Sequence, residues 1–436
     1  MAALNLLYSN DRPGQHAPSY YAVSAQPLQE FHSLDGDTAC DVCVIGAGFT
    51  GLSAALHLAE CGLDVVVLDA HRAGWGASGR NGGQIGSGQR LGQGELERMA
   101  GKEAARQLWQ ISQDGKDLLK SLIKRHKIDC DLKPGNFHVL HRERFAAETR
   151  AYVDKLNAEY DYGHVRFVER DECREMVGSE DYHGGALDMD GGHLHPLNYA
   201  RGLAGAAVKA GARLYEMTEV RSYAAGSPCQ VVTAKGKVRA NFVILACNGY
   251  LGELSSEVAA RVMPINNYII ATEPLGDDMA RQLIRDDVAV SDSRFVVNYY
   301  RLSADKRMLF GGRENYSYSF PHDINGFVAK AMLEIYPQLK DARIEYGWGG
   351  TLAITMNRMP HLARLAPNVL SASGYSGHGV AMATIAGKLL ADAVSSTSAG
   401  FDLMEKVPTH RFPGGAMLRW PMLVLAMTWY SLRDKL

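Results

Sequence analysis

The sequence has no long apolar run, no leader-like start and no surplus of either charge. Its longest apolar stretch, Trp420–Tyr430, is broken by Pro421 and is far shorter than the ~20 residues a membrane span needs. It reads as a buried helix, with a monotopic membrane contact or a protein interface as the alternatives. Leu4-Asn5-Leu6-Leu7 gives way at once to polar residues, without the basic and apolar regions of a signal peptide, so none is expected. Lys and Arg total 46 against 48 Asp and Glu, a formal net charge of −2. That leaves no general drive toward nucleic acid or an anionic membrane. Cysteines number seven, odd and widely spread, which excludes a disulfide framework and points to a reducing, cytoplasmic compartment. Cys40 and Cys43 form one CxxC with no second to match it. In an expected strand that spacing sends the thiols to opposite faces, so plain burial is expected. His193 and His195 share a strand face, but no third or fourth ligand stands at a suitable spacing, so no metal is expected. There is no fixed-period repeat. With 46% apolar and 22% charged residues, disordered and collagen-like classes are excluded.

What is present is length and glycine. A chain of 436 residues is too long for one ordinary core, so two domains, interleaved in sequence, are expected. Residues 39–45 predict an apolar strand, 50–61 a small-residue helix and 64–69 a second strand, a βαβ unit of nucleotide-binding length. Residues 74–94 are glycine-rich and irregular. Helices are predicted over 101–126, near 143–160, over 196–210, near 325–335 and over 379–397. Strands are predicted within 213–247 and 262–312 and at 369–373. The arm 1–38 is followed by a discontinuous nucleotide domain, 39–95, 145–225 and 340–436. A second domain takes 96–144 and 226–339.

Val44-Ile45-Gly46-Ala47-Gly48-Phe49-Thr50-Gly51 carries G-x-G-x-x-G after a strand and before a helix, the context this motif requires. Gly46 makes the turn, Gly48 admits a pyrophosphate, and Gly51 lets helix and strand pack closely. The helix start offers Phe49 and Thr50 N–H groups to phosphate. Asp69, followed by Ala70, ends the second strand, where a carboxylate accepts from ribose hydroxyls and repels a 2′-phosphate.

Two further segments distinguish FAD from NAD. Gly74–Gln84 includes Ser78, Gly79, Arg80, Asn81, Gly82, Gly83 and Gln84. It can wrap a pyrophosphate and run along a tricyclic ring; a flexible linker is the alternative. Gly374-Tyr375-Ser376-Gly377-His378-Gly379-Val380 follows a strand and opens a helix. The positive end of that helix suits the negative charge of a reduced flavin near N1. His378 is expected at the ring or the substrate, or else as a local cap or a core histidine.

In this order, the three motifs resemble the D-amino-acid oxidase superfamily of FAD-dependent oxidoreductases, the last of them its glycine/sarcosine oxidase branch. Ser19-Tyr20-Tyr21-Ala22, Gly74–Gln84, Phe412-Pro413-Gly414-Gly415 and Leu418-Arg419-Trp420-Pro421 resemble the gamma-glutamylputrescine oxidase group. The resemblance implies an α/β, Rossmann-type FAD domain and an α+β substrate domain with a mainly antiparallel sheet. It implies oxidation of a gamma-glutamylated amine to an aldehyde, ammonia and hydrogen peroxide, and an adenine contact at the Val220 backbone. Some relatives attach flavin through a Cys just before the last glycine motif or a His in the loop after the ribose strand. Here the last cysteine is Cys247, Gly74–Gln84 has no His, and His71 fits that pattern poorly. Noncovalent FAD is therefore expected.

Such chemistry holds an amine carbon over flavin N5 and keeps the amine neutral, by desolvation or a positive neighbour. Tyr268, Tyr299, Tyr300, Arg301 and Arg313 are candidates for the cavity wall, Arg301 and Arg313 also for clamping a remote carboxylate. Surface ion pairing is the alternative for both arginines. Trp348 either walls the ring or packs in the core, and Asn248 either closes over FAD or caps a helix. A glycine- or sarcosine-like amino-acid oxidase and a quinone-linked dehydrogenase remain alternatives. The electron acceptor is molecular oxygen or a quinone.

Overall fold

Val42-Cys-Val-Ile45 and Val65–Leu68 are continuous apolar runs, the mark of strands buried on both faces. In the computed structural model, which describes residues 5–315 and 317–413, both lie inside a parallel sheet. Its parallel strands run Val369–Ser373, Lys237–Leu245, Thr38–Ile45, Val65–Leu68 and Arg213–Tyr215. His361–Ala366 closes one edge antiparallel, and the hairpin Val220–Ala224 with Cys229–Thr233 is laid on Lys237–Leu245. Side chains alternate. Val42, Val44, Val65 and Val67 face the helices Phe49–Glu60, Pro196–Lys209 and Gly379–Val394. Cys43, Ile45, Val66 and Leu68 face a layer that includes the hairpin.

The second sheet runs Ile344–Ile354, Met263–Thr272, Met308–Asn315, Tyr299–Leu302, Ala289–Asp292, Lys133–Val139, Gly185–His193, Gln84–Ile85. Val165–Val168 joins Gly185–His193. Every pairing is antiparallel except that of Ala289–Asp292 with Lys133–Val139. The expected fold class is the one observed. The sheets exchange the chain more often than the expected segments do. Val165–Val168 and Gly185–His193, expected in the nucleotide domain, pair in the second sheet, as does Ile344–Ile354. Cys229–Thr233 and Lys237–Leu245, expected in the second domain, pair in the first. The helix Lys102–His126, also expected there, packs on Gly379–Val394 in the nucleotide layer. We propose that domain boundaries follow these strand exchanges.

One local reading changes. Cys40 and Cys43 pack toward the same apolar cluster, because Asp41 and Val42 both donate to Asp64 O and interrupt the alternation. All seven cysteines are free. The arm is tied to the body: Tyr21 is fully buried, and Asp11 pairs with Arg80 at 2.7 Å. The apolar stretch Trp420–Tyr430 lies outside the described residues. Among the described residues, no helix is long and apolar enough to cross a membrane, and no cluster of ligands could hold a metal.

Candidate active site

The first glycine turn is built so that side chains cannot enter it. Gly46 has φ +108°, and a Cβ there would stand 2.7 Å from Ala246 O. A Cβ on Gly51 would stand 1.9 Å from Gly46 O, and one on Gly48 2.8 Å from Ser78 Oγ. Ser78 Oγ accepts from Phe49 N at 2.9 Å, which ties the 74–84 loop to the helix start. Thr50 Oγ1 meets Tyr375 OH at 2.6 Å, which ties the same helix to the last glycine motif. Asn248 lines the cavity, and its Oδ1 accepts from Gly374 N at 3.0 Å.

A cavity of about 600 Å³ runs along these elements and is lined by both sheets. Gly46, Gly48, Phe49, Thr50, Asp69, Ala70 and Val220 line one part of it; Ser78, Arg80, Asn81, Gly82 and Gln84 line the next. Ser376, Gly377, His378, Gly379 and Val380 line it as well. Gly51, Gly79, Gly83 and Gly374 stand behind the wall and shape it. A Cβ on Gly79 would stand 2.2 Å from Gly74 O, and one on Gly83 2.0 Å from Leu194 O.

Asp69 accepts from Ala47 N at 2.7 Å and His71 N at 2.8 Å. Burial pushes its carboxyl up to about 6, although those two N–H groups pull it down. Arg80 is buried against Trp75, with its guanidinium carbon 4.4 Å from the ring centroid, and its Nη2 is buried without a partner. His71 is committed: Gly14 N donates to Nδ1, Nε2–H donates to Leu7 O, and the ring stacks on Trp75 at 3.8 Å. The glycine turn that a Cβ would fill, the orphan nitrogen of Arg80 and the carboxylate of Asp69 fit a dinucleotide.

His378 precedes the helix Gly379–Val394, and its Nε2 contacts Gly88 O at 2.9 Å. A carbonyl only accepts, so Nε2 carries the proton and Nδ1 is an acceptor. Burial, with Arg90 nearby, pulls this imidazole down to about 4. Only glycine fits at position 86, where a Cβ would stand 2.6 Å from His378 Cε1. On the same cavity, the Tyr299 ring lies against Gly82 and Gly311, and its hydroxyl donates to Asn267 Oδ1. Burial pushes that phenol well above its ordinary value.

Five expected wall residues are not on the wall. Tyr300 faces the other side of its strand, stacked on Phe310 and bonded to Tyr182 OH at 3.0 Å. Tyr268 is buried beside Phe320 and Phe327. Trp348 is 1% exposed, packs on Tyr21, and donates to Arg80 O at 3.0 Å. Arg313 sits at φ +60° beside a register shift at Asn267/Tyr268 and reaches Glu334 at 3.5 Å. Arg301 is no clamp either: it donates to Gly82 O, Leu194 O, Leu302 O and Tyr21 OH. Besides Arg80, the cations on the cavity are Arg90 and Arg358, with Glu314 beside them. None of these three stood out in the sequence: Arg90 follows the 74–84 segment, and Glu314 and Arg358 lie far from the three glycine motifs.

The pattern of the FAD dependent oxidoreductase family matches residues 41–393. Gamma-glutamylputrescine oxidoreductase of Escherichia coli (strain K12) is 42% identical over 423 residues, 97% of this chain and 99% of its own length. A probable oxidoreductase of Rhizobium meliloti (strain 1021) is 40% identical over 418 residues, covering 96% and 97%. The crystal structure of glycine oxidase from Geobacillus kaustophilus superposes with a TM-score of 0.72 at 21% identity, covering 85% of this chain and 99% of that one. That last likeness is one of fold. On its matched length and its identity to these relatives, the chain belongs to the FAD-dependent oxidoreductase family and is a flavoenzyme.

Proposed function

We propose that the protein oxidises the primary amine of a gamma-glutamylated polyamine or monoamine such as gamma-glutamylputrescine, with noncovalently held FAD. The observation that carries this reading is the continuity of one cavity from the glycine turn to His378 and Tyr299, whose rings are both uncharged at neutral pH. The relative of E. coli whose name states that substrate supports it. Bound FAD supplies a two-electron acceptor for the hydride on the amine-bearing carbon.

The chain's own residues hold the amine and keep it neutral. An alkyl amine free in water is protonated at pH 7, with a pKa near ~10.4. Enclosure in the cavity with Tyr299 and the His378 segment removes water, which disfavours the charged ammonium. With Nε2–H held by Gly88 O, His378 presents an acceptor rather than an acid. Release of the imine and its hydrolysis give the aldehyde and ammonia; with molecular oxygen as the final acceptor the remaining product is hydrogen peroxide, and with a quinone it is the quinol. The full engagement of His71 and the raised thiol of Cys247, pushed up to about 12 by burial, support noncovalent FAD. Free cysteines throughout support a reducing compartment.

The test is anaerobic addition of gamma-glutamylputrescine to the purified flavoprotein while its visible bands are followed. Bleaching within seconds is expected. Bands that persist with this amine but bleach with sarcosine or glycine would overturn the substrate and favour an amino-acid oxidase.

Asp69 makes cofactor binding pH-dependent. Hydroxyl donors of a ribose favour its ionised form, so its carboxyl falls below about 6 when FAD binds. FAD affinity for the apoprotein is expected to rise with pH up to about 6 and then level off. Titration calorimetry at pH 5.5 in two buffers of different ionisation enthalpy should show proton release. Proton uptake, or none, would contradict the ribose role.

A further inference from the structure

Glu314 is an anomaly in a well-satisfied wall. Its Oε2 is buried and has no hydrogen-bond partner, and it lines the cavity. A buried carboxylate oxygen left unpaired is unfavourable unless a ligand completes it. Arg90 and Arg358 line the same cavity and act electrostatically on Glu314 and on each other. Neither has a carboxylate within ion-pair distance among the described residues. Arg80, on the same cavity, is by contrast paired with Asp11 at 2.7 Å. Arg358 also holds a left-handed backbone, φ +65°, which a side chain this large seldom adopts without a local reason.

Two cations with no ion pair among the described residues, and one anion with an orphan oxygen, match a group with one carboxylate and one ammonium. Resting on the amine-oxidation reading above, we infer that Arg90, Arg358 and Glu314 form the subsite for the zwitterionic α-amino-acid end of a gamma-glutamyl amine. Its α-carboxylate lies with the two guanidinium groups, and its α-ammonium lies on Glu314. Charge assigns the ends. The reacting amine must be neutral, and a carboxylate would hold it protonated; Glu314 therefore suits the ammonium that does not react. A substrate with a carboxylate alone would leave Glu314 unpaired and face its repulsion.

The test compares two amines that share the reacting end, gamma-glutamylputrescine and N-acetylputrescine, on the FAD-loaded protein. Half-saturating concentrations are read from anaerobic bleaching. Arg358→Gly keeps the backbone conformation, and Glu314→Gln keeps the shape. Each is expected to lower the preference for gamma-glutamylputrescine over N-acetylputrescine by about ten- to a hundred-fold, the worth of a charged hydrogen bond. An unchanged preference overturns the subsite and leaves amine oxidation standing. If neither amine bleaches the wild-type flavin, the amine reading falls. Calorimetry with gamma-glutamylmethylamide, which carries the zwitterion and no terminal amine, then decides the subsite. Binding heat that disappears in Arg358→Gly upholds it; no heat with the wild type overturns it.

Discussion

Gly51→Ala is expected to yield a folded protein that purifies with little flavin. The added Cβ would lie 1.9 Å from Gly46 O and 3.1 Å from Val44 Cγ1. Both are parts of the sheet and turn, not the end of a flexible side chain, so neither can step aside alone. The helix Phe49–Glu60 must move off the strand Thr38–Ile45, and its first N–H groups leave the place where phosphate would meet them. Overpacking of this kind costs about 1–3 kcal/mol, which as lost affinity is roughly ten- to a hundred-fold. Apoprotein reconstituted with FAD and followed by flavin fluorescence quenching measures it. Gly205→Ala is the control. Gly205 lies in the helix Pro196–Lys209 with nothing within 4 Å of a Cβ. It should retain flavin and gain about 0.5–1 kcal/mol of stability. Equal flavin content in the two variants would remove the cradle from this turn.

The parts of the site legible in the sequence are those fixed by backbone alone. Gly46, Gly48 and Gly51 announce a close approach because no other residue fits, and strand, helix and acid around them agree in spacing. The parts that were not legible depend on parity or on contacts distant in sequence. Tyr299 and Tyr300 are adjacent on one strand, so one faces the cavity and the other the core behind it. Their sequence does not say which, and the cavity takes Tyr299. A register shift and a left-handed residue turn Arg313 away from the cavity. Arg358 enters it from a turn between two strands of different sheets, 44 positions after Glu314. Likewise, strand exchange between the sheets is a long-range pairing, which composition along the chain does not mark.

Stability is expected to fall as pH drops below about 6.5. The cause is a set of histidines buried as neutral rings. His195 is 6% exposed, and burial, with Arg301 nearby, holds it down to about 3. His361, also 6% exposed, is held down to about 4 by burial and Arg261. His193 is fully buried and is likewise pulled well below the usual imidazole range, its Nδ1 without a partner. Each folded-state value lies below the unfolded one. The stability these rings contribute is therefore present above about 6.5 and is lost as pH falls toward the folded values, because the unfolded chain takes up protons first. A depression of this size corresponds to on the order of 4 kcal/mol per ring, against a net stability of about 5–15 kcal/mol. Buried carboxyls at Asp69, Asp292 and Glu314 are raised and act in the opposite sense, so the slope is a difference between the two sets. His195→Asn isolates one ring. His195 Nδ1 accepts from Asn198 N at 3.1 Å and caps the helix; asparagine can still cap it but cannot titrate. Urea midpoints measured from pH 7 to 4.5 should fall in the wild type and fall less steeply in His195→Asn. Parallel curves would take His195 out of the account, and a flat wild-type curve would mean that the buried rings are already protonated or exposed.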